Sequence, residues 1–385
     1  MKPEKNSSVL LPVIFGSALW IGLFLFVLQP AAAAEITIPH VEMASRGMME
    51  NDEFAVSSSI SADLTLTGGY KYAFLLGLSL DLEDVIRTNY KNMPGFPIFR
   101  IAQATVHDLF GLPLELSYFI GSGDTFCTGD DFSDRFGLSP FGTDYRGFFY
   151  FPEGVSYDGI HGVQGTGFTL GLTVWEKVIP ILYLYNNLIF NSDTSLGENF
   201  YSGDLRLLFH YNSFSLEAFG GVSMNSRMDL KVRGGLMLHF ASERGMEFFI
   251  QGGIPGWQTN EEFSIDNLFF LVEPRLQFEK FGASITFFYH PVEYYHVFNP
   301  NEKGKADINI KFRFGNSYLN VITGGFETGG TLKIDNSEKL VIYVSPFASF
   351  ISGGLQWDAK IRVRPLHTSN IMNMLDFFIG VRTAF

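Results

Sequence analysis

Polar and apolar side chains alternate one by one along many stretches of this 385-residue sequence. The clearest stretches are residues 307–314 and 356–364, where every second residue is polar or charged and its neighbours are apolar. Side chains of an extended strand point to opposite faces in turn, so this period predicts β-strands with one apolar and one charged face. A helix would repeat its apolar positions every three to four residues instead. The pattern therefore predicts an all-β fold.

Strands of this kind suit two environments. In a soluble sandwich the apolar face is buried and the polar face is wet. In a transmembrane barrel the apolar face meets lipid and the polar face meets a water-filled lumen. The alternating stretches reach about ten residues, the length that a tilted strand needs to cross a bilayer. We therefore expect a transmembrane antiparallel up-and-down β-barrel.

The first residues have the pattern of a secretory signal. Lys2 and Lys5 give a positive start, residues 9–28 are uncharged and mostly apolar, and residues 31–34 are all alanine. Small residues after an apolar run are typical of a cleavage site, so residues 1–34 are predicted to be a signal peptide. The apolar run is about 20 residues, which is also long enough for an uncleaved membrane anchor.

Composition narrows the function classes. The net charge is −13 and becomes more negative once the signal is removed, which argues against nucleic acid as a partner. The single cysteine, Cys127, excludes an internal disulfide framework. Phe occurs 41 times and Gly 40 times, which fits bulky lipid-facing and small lumen-facing strand positions. No motif predicts a cofactor.

The last stretch of the chain stops on an aromatic residue. From Leu375 onwards every second side chain is apolar except Thr383, and the last of these is Phe385 itself. With the signal peptide and the alternating strands, this ending resembles that of bacterial outer-membrane β-barrels. The resemblance implies that Phe385 is the signal read by the barrel-assembly machinery. It also implies that the barrel contacts outer-membrane lipid and that both termini face the periplasm.

Short and long connections alternate along the sequence. The short ones are predicted at residues 67–69, 111–113, 176–177, 212–213, 243–245, 280–282, 315–317 and 352–354. The long ones are predicted at residues 83–96, 121–164, 191–199, 224–228, 253–263, 299–305, 327–338 and 365–373. Short turns at one end and long loops at the other are typical of periplasmic and extracellular connections in outer-membrane barrels.

The number of strands follows from the parity of these connections. A strand that ends at the C-terminus runs inward, and counting back shows that residues 54–66 also run inward. A barrel with an even number of strands then needs one earlier strand, and residues 35–43 supply it. The predicted total is about 18 strands, or 16 if one of the predicted hairpins does not form. Pro39, Pro274 and Pro346 fall inside predicted strands and should each mark a bulge or a broken strand, because Pro donates no ladder hydrogen bond.

Residues 121–164 form the longest predicted connection, far longer than an ordinary loop. In general porins, the long third external loop folds into the lumen and narrows it, and the position and length of this segment match that loop. A surface flap with its own hairpin at residues 147–152 is an equal alternative. Cys127 lies in the segment without a neighbouring base and is expected to be an incidental free thiol. Its four aspartates lack the spacing of a calcium loop.

The charged faces of the strands are the candidate functional surface. An outward-facing Arg or Lys at the bilayer midplane would cost about 2–4 kcal/mol, so the charges are expected to face the lumen. The predicted pore-lining residues are Arg100, Arg206, Lys231, Arg233, Arg275, Lys311, Arg313, Asp358, Lys360, Arg362, Arg364 and Arg382. Further acids expected there are Asp204, Glu217, Asp229, Glu247, Glu273, Glu279, Asp307 and Asp376. The alternative is that these charges pair across strands and only fill the interior.

Three functions fit this description. The first is a porin-like channel for passive diffusion of small solutes, with weak anion preference at Lys360, Arg362 and Arg364. The second is a transporter for hydrophobic molecules of the fatty-acid-transporter type, although residues 35–53 lack its Asn-Pro plug element. The third is a barrel that displays surface loops for adhesion. None of the three is an enzyme.

Two further residue patterns involve histidines and tryptophans. His290, Glu293 and His296 alternate between faces on a strand and are not predicted to bind a metal. Trp175, Trp257 and Trp357 fall near predicted strand ends, where amphipathic rings favour the membrane interface.

Overall fold

A computed structural model describes most of the chain in ten ranges. These are residues 35–50, 53–82, 98–146, 159–187, 200–225, 228–290, 305–315, 322–333, 341–366 and 374–383. The predicted signal peptide and Phe385 lie outside the described residues, as does the hairpin suggested at residues 147–152.

The described residues form a sheet of eighteen strands in which each strand pairs antiparallel with its sequence neighbours. The strands are β1 (Glu35–Glu50), β2 (Glu53–Gly68), β3 (Tyr72–Leu82), β4 (Ile98–Val106), β5 (Leu114–Phe126), β6 (His161–Leu172), β7 (Val178–Asn187), β8 (Phe200–Tyr211), β9 (Phe214–Asn225), β10 (Leu230–Ala241), β11 (Met246–Gln258), β12 (Phe269–Gln277), β13 (Phe281–His290), β14 (Lys305–Phe314), β15 (Ile322–Lys333), β16 (Val341–Ser352), β17 (Leu355–Val363) and β18 (Leu375–Thr383). The first and last strands pair as well, with Ser45 opposite Ile379, so the sheet closes on itself. The predicted closed barrel is therefore confirmed, and its count is eighteen rather than sixteen.

The prolines disturb the ladder less than expected. The register between β1 and β2 shifts between Thr37 and His40, so the bulge predicted at Pro39 is confirmed. Pro274 pairs in register with β11, and Pro346 pairs in register with β15. Both strands are continuous and their register does not shift, so the predicted bulge or broken strand is absent at both positions. The pairing is interrupted on one side only, at Pro274 toward β13 and at Pro346 toward β17. A proline lacks one donor toward one neighbouring strand, while its fixed φ remains compatible with an extended chain.

The connections lie alternately at the two ends of the barrel. At one end the described connecting residues are 69–71, 107–113, 173–177, 212–213, 242–245, 278–280, 315 and 353–354. At the other end they are 127–146, 159–160, 228–229, 259–268, 364–366 and 374. Strands β5 and β6 both extend into the predicted long loop, so the connection between them covers residues 127–160. It contains the short helix α1 (Asp131–Phe136).

The two faces of the wall differ as the alternation requires. On β8, the Leu205 and Leu207 side chains are 58% and 36% exposed, whereas Asp204 and Arg206 are 1% and 0% exposed. Exposed leucines and phenylalanines thus face outward, and charged side chains face the barrel interior. Within the described ranges, no helix combines the length and apolar character needed to cross a bilayer.

Candidate functional site: the inner wall and residues 127–146

The predicted pore-lining residues lie at the following places. Arg100 is in β4, Arg206 in β8, Lys231 and Arg233 in β10, Arg275 in β12, Lys311 and Arg313 in β14, Asp358, Lys360 and Arg362 in β17, and Arg382 in β18. Arg364 directly follows β17 and makes an ion pair with Asp376. Several of these side chains, such as Arg206 and Arg362, are almost fully buried.

Some acidic residues lie elsewhere than predicted. Asp229 precedes β10 and accepts a side-chain hydrogen bond from Asn225, and Glu279 lies in the turn 278–280. Glu327, which the sequence placed in a loop, lies in β15 with its side chain buried. Its strand is rich in Gly and Thr, so the alternation that would have identified it is weak.

Residues 127–146, here called the inner segment, run along the inner wall of the barrel. Glu217 of β9 accepts a hydrogen bond from the backbone N–H of Cys127 at 2.6 Å. The side-chain amide of Gln251, on β11, donates a hydrogen bond to the Cys127 carbonyl oxygen. Both wall side chains are fully buried. The start of the inner segment is therefore fixed to the wall by its own backbone groups.

The far end of the inner segment is held in the same way on β12. Glu273 accepts hydrogen bonds from the Thr143 hydroxyl at 2.8 Å and from the Asp144 backbone N–H at 2.9 Å. Arg275 donates to the Gly142 carbonyl. A buried carboxylate without hydrogen-bond partners is costly. The inner segment supplies partners for Glu273, and the same hydrogen bonds hold the segment on the wall.

Arg206 is the charged centre between the wall and the inner segment. Its guanidinium lies 2.6 Å from Glu217, 2.5 Å from Asp131 of α1 and 3.6 Å from Asp124. The Tyr183 hydroxyl also donates to Asp124, at 2.5 Å. These carboxylate partners offset the hydration that the Arg206 guanidinium loses when it is buried.

A second ion pair fixes α1. Arg135 makes a bidentate pair with Glu115 of β5, with both distances 2.9 Å. Burial acts to lower the pKa of Arg135, but the adjacent Glu115 carboxylate outweighs it and the pKa is raised. Arg135 is therefore charged at every accessible pH.

Aromatic contacts join the inner segment to histidines of the wall. The Phe141 ring stacks on His239 with centroids 3.9 Å apart, and Phe136 lies against His210 at 5.7 Å. His239 is also 2.9 Å from Glu247, whose carboxylate pairs with Arg275. These histidines were not identified from the sequence, because a lone histidine on an alternating strand carries no distinctive pattern.

A basic wall lies on strands β14, β17 and β18. Lys360 pairs with Glu327 at 2.5 Å, and Arg382 pairs with Asp358 at 3.3 Å. The Arg382 side chain remains 41% exposed in spite of this pair, whereas Lys360 is fully buried. The wall therefore includes both structural and accessible cations.

Asp144 of the inner segment carries the charge that faces this wall. Burial acts to raise the pKa of the Asp144 carboxyl, but Arg275, Lys311, Arg313 and Arg382 together lower it well below its usual range. The Asp144 carboxylate thus interacts electrostatically with cations of β12, β14 and β18.

The tryptophans lie where the sequence placed them. Trp175 is exposed in the turn 173–177, and Trp257 and Trp357 lie near the ends of β11 and β17. The Trp357 ring stacks on Phe350 of β16. Among the described residues, no group of three or more His, Cys, Asp or Glu side chains is arranged to hold a metal ion. Glu293 and His296 are not among them.

Comparison with known proteins gives structural resemblances only. No protein-family model matches the chain, and no curated protein matches it. A Rhodopseudomonas blastica porin variant is similar at 10% identity and a TM-score of 0.46, over 91% of this chain and 100% of that chain. Pseudomonas aeruginosa OccD3 (OpdP) is similar at 10% identity and a TM-score of 0.47, over 91% of this chain and 93% of that chain. These similarities are weak, and the strand pairing alone establishes the barrel. The residues that the structure describes form a closed antiparallel β-barrel of eighteen strands.

Proposed function

We propose that this protein is a porin-like channel of the bacterial outer membrane through which small hydrophilic solutes diffuse passively. The proposal assigns residues 127–146 the role of narrowing the lumen. Barrels of this strand number are wide enough for an aqueous channel. The observation that carries the proposal is the attachment of the inner segment to β9, β11 and β12 through Cys127, Gly142 and Thr143.

The proposed passage lies on the side away from these attachments. The hydrogen bonds that hold the backbone of the inner segment lie on β9, β11 and β12, whereas β14 to β18 and β1 to β4 complete the ring. A solute would pass between Asp144 and the basic wall. Accessible cations such as Arg382 give this passage its weak anion preference.

The proposal includes the route to the membrane. Residues 1–34 act as a signal peptide, and Phe385 is read by the barrel-assembly machinery. The exposed apolar outer face then contacts outer-membrane lipid. No catalytic role is assigned to any residue.

The hydrophobic-transporter alternative is less well supported. Residues Glu35–Glu50 form strand β1 and pair with both β2 and β18, so this segment is part of the wall. It is not available as an N-terminal plug. The inner wall also carries charged rather than apolar side chains along β8, β10 and β17.

Planar-bilayer recording of the refolded mature chain tests the proposal. Stepwise conductance is expected, and deletion of residues 130–144 should increase the size of each step. Heat-modifiable migration on gels establishes folding for both proteins. Absence of conductance from a protein that passes this folding check would refute the channel, and lipid co-purifying with it would favour the hydrophobic transporter.

A further inference from the structure

Arg100 reaches the interior through an irregularity in its strand. Gly77 pairs with Ile101 and the next residue, Leu78, pairs with Phe99, so Arg100 is an extra residue in β4. Bulges re-aim side chains and are common beside functional sites. The guanidinium lies 2.8 Å from Asp63 of β2, and about half of the Arg100 side chain remains exposed.

A second irregularity adjoins the first. The register of β5 against β6 shifts between Ser122 and Thr125, and this places Asp124 on the same part of the wall. Gly121 lies between the two irregularities with a φ of +108°, where a Cβ would be 2.1 Å from the Arg100 carbonyl oxygen. The close approach of the two backbones therefore requires glycine at this position.

Together these features border a cavity of about 250 Å³. Its polar lining includes Asp63, Thr65, Arg100, Gln103, Ser122 and Asp124, and Leu75 and Ile101 add apolar surface. Pockets for drug-sized ligands are typically about 300–1,000 Å³, so this cavity suits a smaller solute.

The charged groups that line the cavity already have partners. Arg100 pairs with Asp63 at 2.8 Å, and Asp124 shares Arg206, at 3.6 Å, with Asp131 and Glu217. A charged ligand would have to compete with one of these ion pairs. A hydroxyl group both donates and accepts, so neighbouring hydroxyls can bond the guanidinium and the carboxylate without separating them.

We propose that this cavity is a binding subsite for a small uncharged polyhydroxylated solute, such as a monosaccharide or a short polyol. The proposal rests on the proposed channel function, because the solute reaches the cavity through the lumen. One hydroxyl accepts from Arg100 and its neighbour donates to Asp63. Thr65 and Gln103 supply further hydrogen bonds.

Binding to the refolded full chain in detergent tests the subsite without requiring conductance. Saturation-transfer NMR and calorimetry would be performed with D-glucose and sorbitol, and with acetate and tetramethylammonium as the anionic and cationic probes. Saturable binding of the uncharged probes, unchanged by added salt, is expected. Binding of only the charged probes, or of none, would overturn the proposal.

Variants locate the binding. The double variant Asp63→Asn with Arg100→Gln should weaken glucose binding about tenfold, which corresponds to the loss of one or two hydrogen bonds. Thr65→Val keeps the β-branched shape and the ion pair, and should weaken binding about threefold through one lost hydroxyl. Arg244→Gln, in the exposed turn 242–245, is the matched control and should leave binding unchanged.

The outcomes separate this subsite from the channel. Conductance without glucose binding, or binding equally strong in Thr65→Val and in Arg244→Gln, refutes the subsite and leaves the channel standing. Glucose binding that Thr65→Val weakens, in a protein without conductance, refutes the channel alone. Because Thr65→Val leaves both ion pairs intact, this comparison remains decisive if the double variant fails to fold.

Discussion

Thr143 donates its hydroxyl hydrogen bond to Glu273 at 2.8 Å, and this joins residues that are 130 positions apart in the chain. The same carboxylate accepts from the Asp144 backbone at 2.9 Å and from Thr286 at 2.7 Å. Glu273 thus connects the inner segment to two neighbouring wall strands. The helix of the segment has only six residues, so side chains of the wall such as Glu273 hold the far end of the segment in place.

Glu273→Gln tests this dependence. The amide keeps the shape but loses the charge that Arg275 and the segment backbone use, so unfolding in urea should require about 1–3 kcal/mol less. Single-channel records should also show larger and noisier steps, because the segment is held less firmly. Glu261→Gln, in the exposed loop 259–268, is the control. Identical current noise in both variants would contradict the proposed role of Glu273.

Arg206→Met should be the most destabilising substitution of the inner wall. It leaves Glu217 buried without its cation, and breaking a buried ion pair in this way typically costs about 3–5 kcal/mol. The measurement is the urea-unfolding midpoint of the refolded barrel, followed by tryptophan fluorescence. Arg244→Met in the exposed turn 242–245 should change the midpoint little. Equal midpoints for the two variants would show that the Arg206 network contributes no stability.

Ion selectivity should depend on the exposure of the cations. Arg382→Gln is expected to reduce the anion preference, since the Arg382 side chain is 41% exposed, whereas fully buried Lys360 is neutralised by Glu327. The reversal potential in a salt gradient measures this preference. Arg244→Gln is again the control. A larger shift from Lys360→Gln than from Arg382→Gln, in two folded barrels, would reverse the proposed order.

The stabilising contribution of Asp144 should disappear in acid. Its pKa is lowered in the folded barrel because Arg275, Lys311, Arg313 and Arg382 outweigh the effect of burial. A lowered folded pKa gives stability that is full above the unfolded value of about 3.9 and is lost as the pH falls toward the folded value. The unfolding midpoints of the wild type and Asp144→Asn should therefore differ at pH 6, begin to approach each other below about pH 4, and meet only as the pH nears the lowered folded pKa. A constant difference down to acid pH would contradict this assignment.

Cys127 should resist alkylation in the folded barrel. The thiol is 0% exposed, and its pKa is raised chiefly by burial and further by Glu217. Since the thiolate is the reactive form, iodoacetamide should label Cys127 only after unfolding. Mass spectrometry of native and urea-treated samples measures this directly. Rapid labelling of the native protein would show that the start of the inner segment detaches from Glu217.

The wall strands were predictable where charge and bulk alternate without error. β14 and β17 follow from their sequence alone, because each has polar residues at every second position between large apolar ones. β15 was shortened in the prediction, and Glu327 was assigned to a loop, because glycine and threonine carry little periodic signal. The alternation of polar and apolar residues does not reveal a one-residue bulge. The contact of Arg100 with Asp63 depends on such a bulge in β4 and could not be predicted from the alternation.

The inner segment was predictable in length and position but not in its contacts. Its length indicated a special role, yet the sequence left a surface flap and a lumen fold equally supported. The contacts that distinguish them join distant residues, such as Cys127 with Glu217 and Phe141 with His239. Pairings of this kind depend on the closed barrel bringing strands together and have no local signature.

The pairing of β1 with both β2 and β18 has a consequence for self-association. Every described strand already has a neighbour on each side, so the described part of the sheet offers no open edge to a second molecule. Copies of this protein can therefore meet only through the side chains of the outer surface or through their loops. Aggregation by strand pairing between molecules is a hazard for open sheets. Here it requires that the hydrogen bonds between β1 and β18 break first.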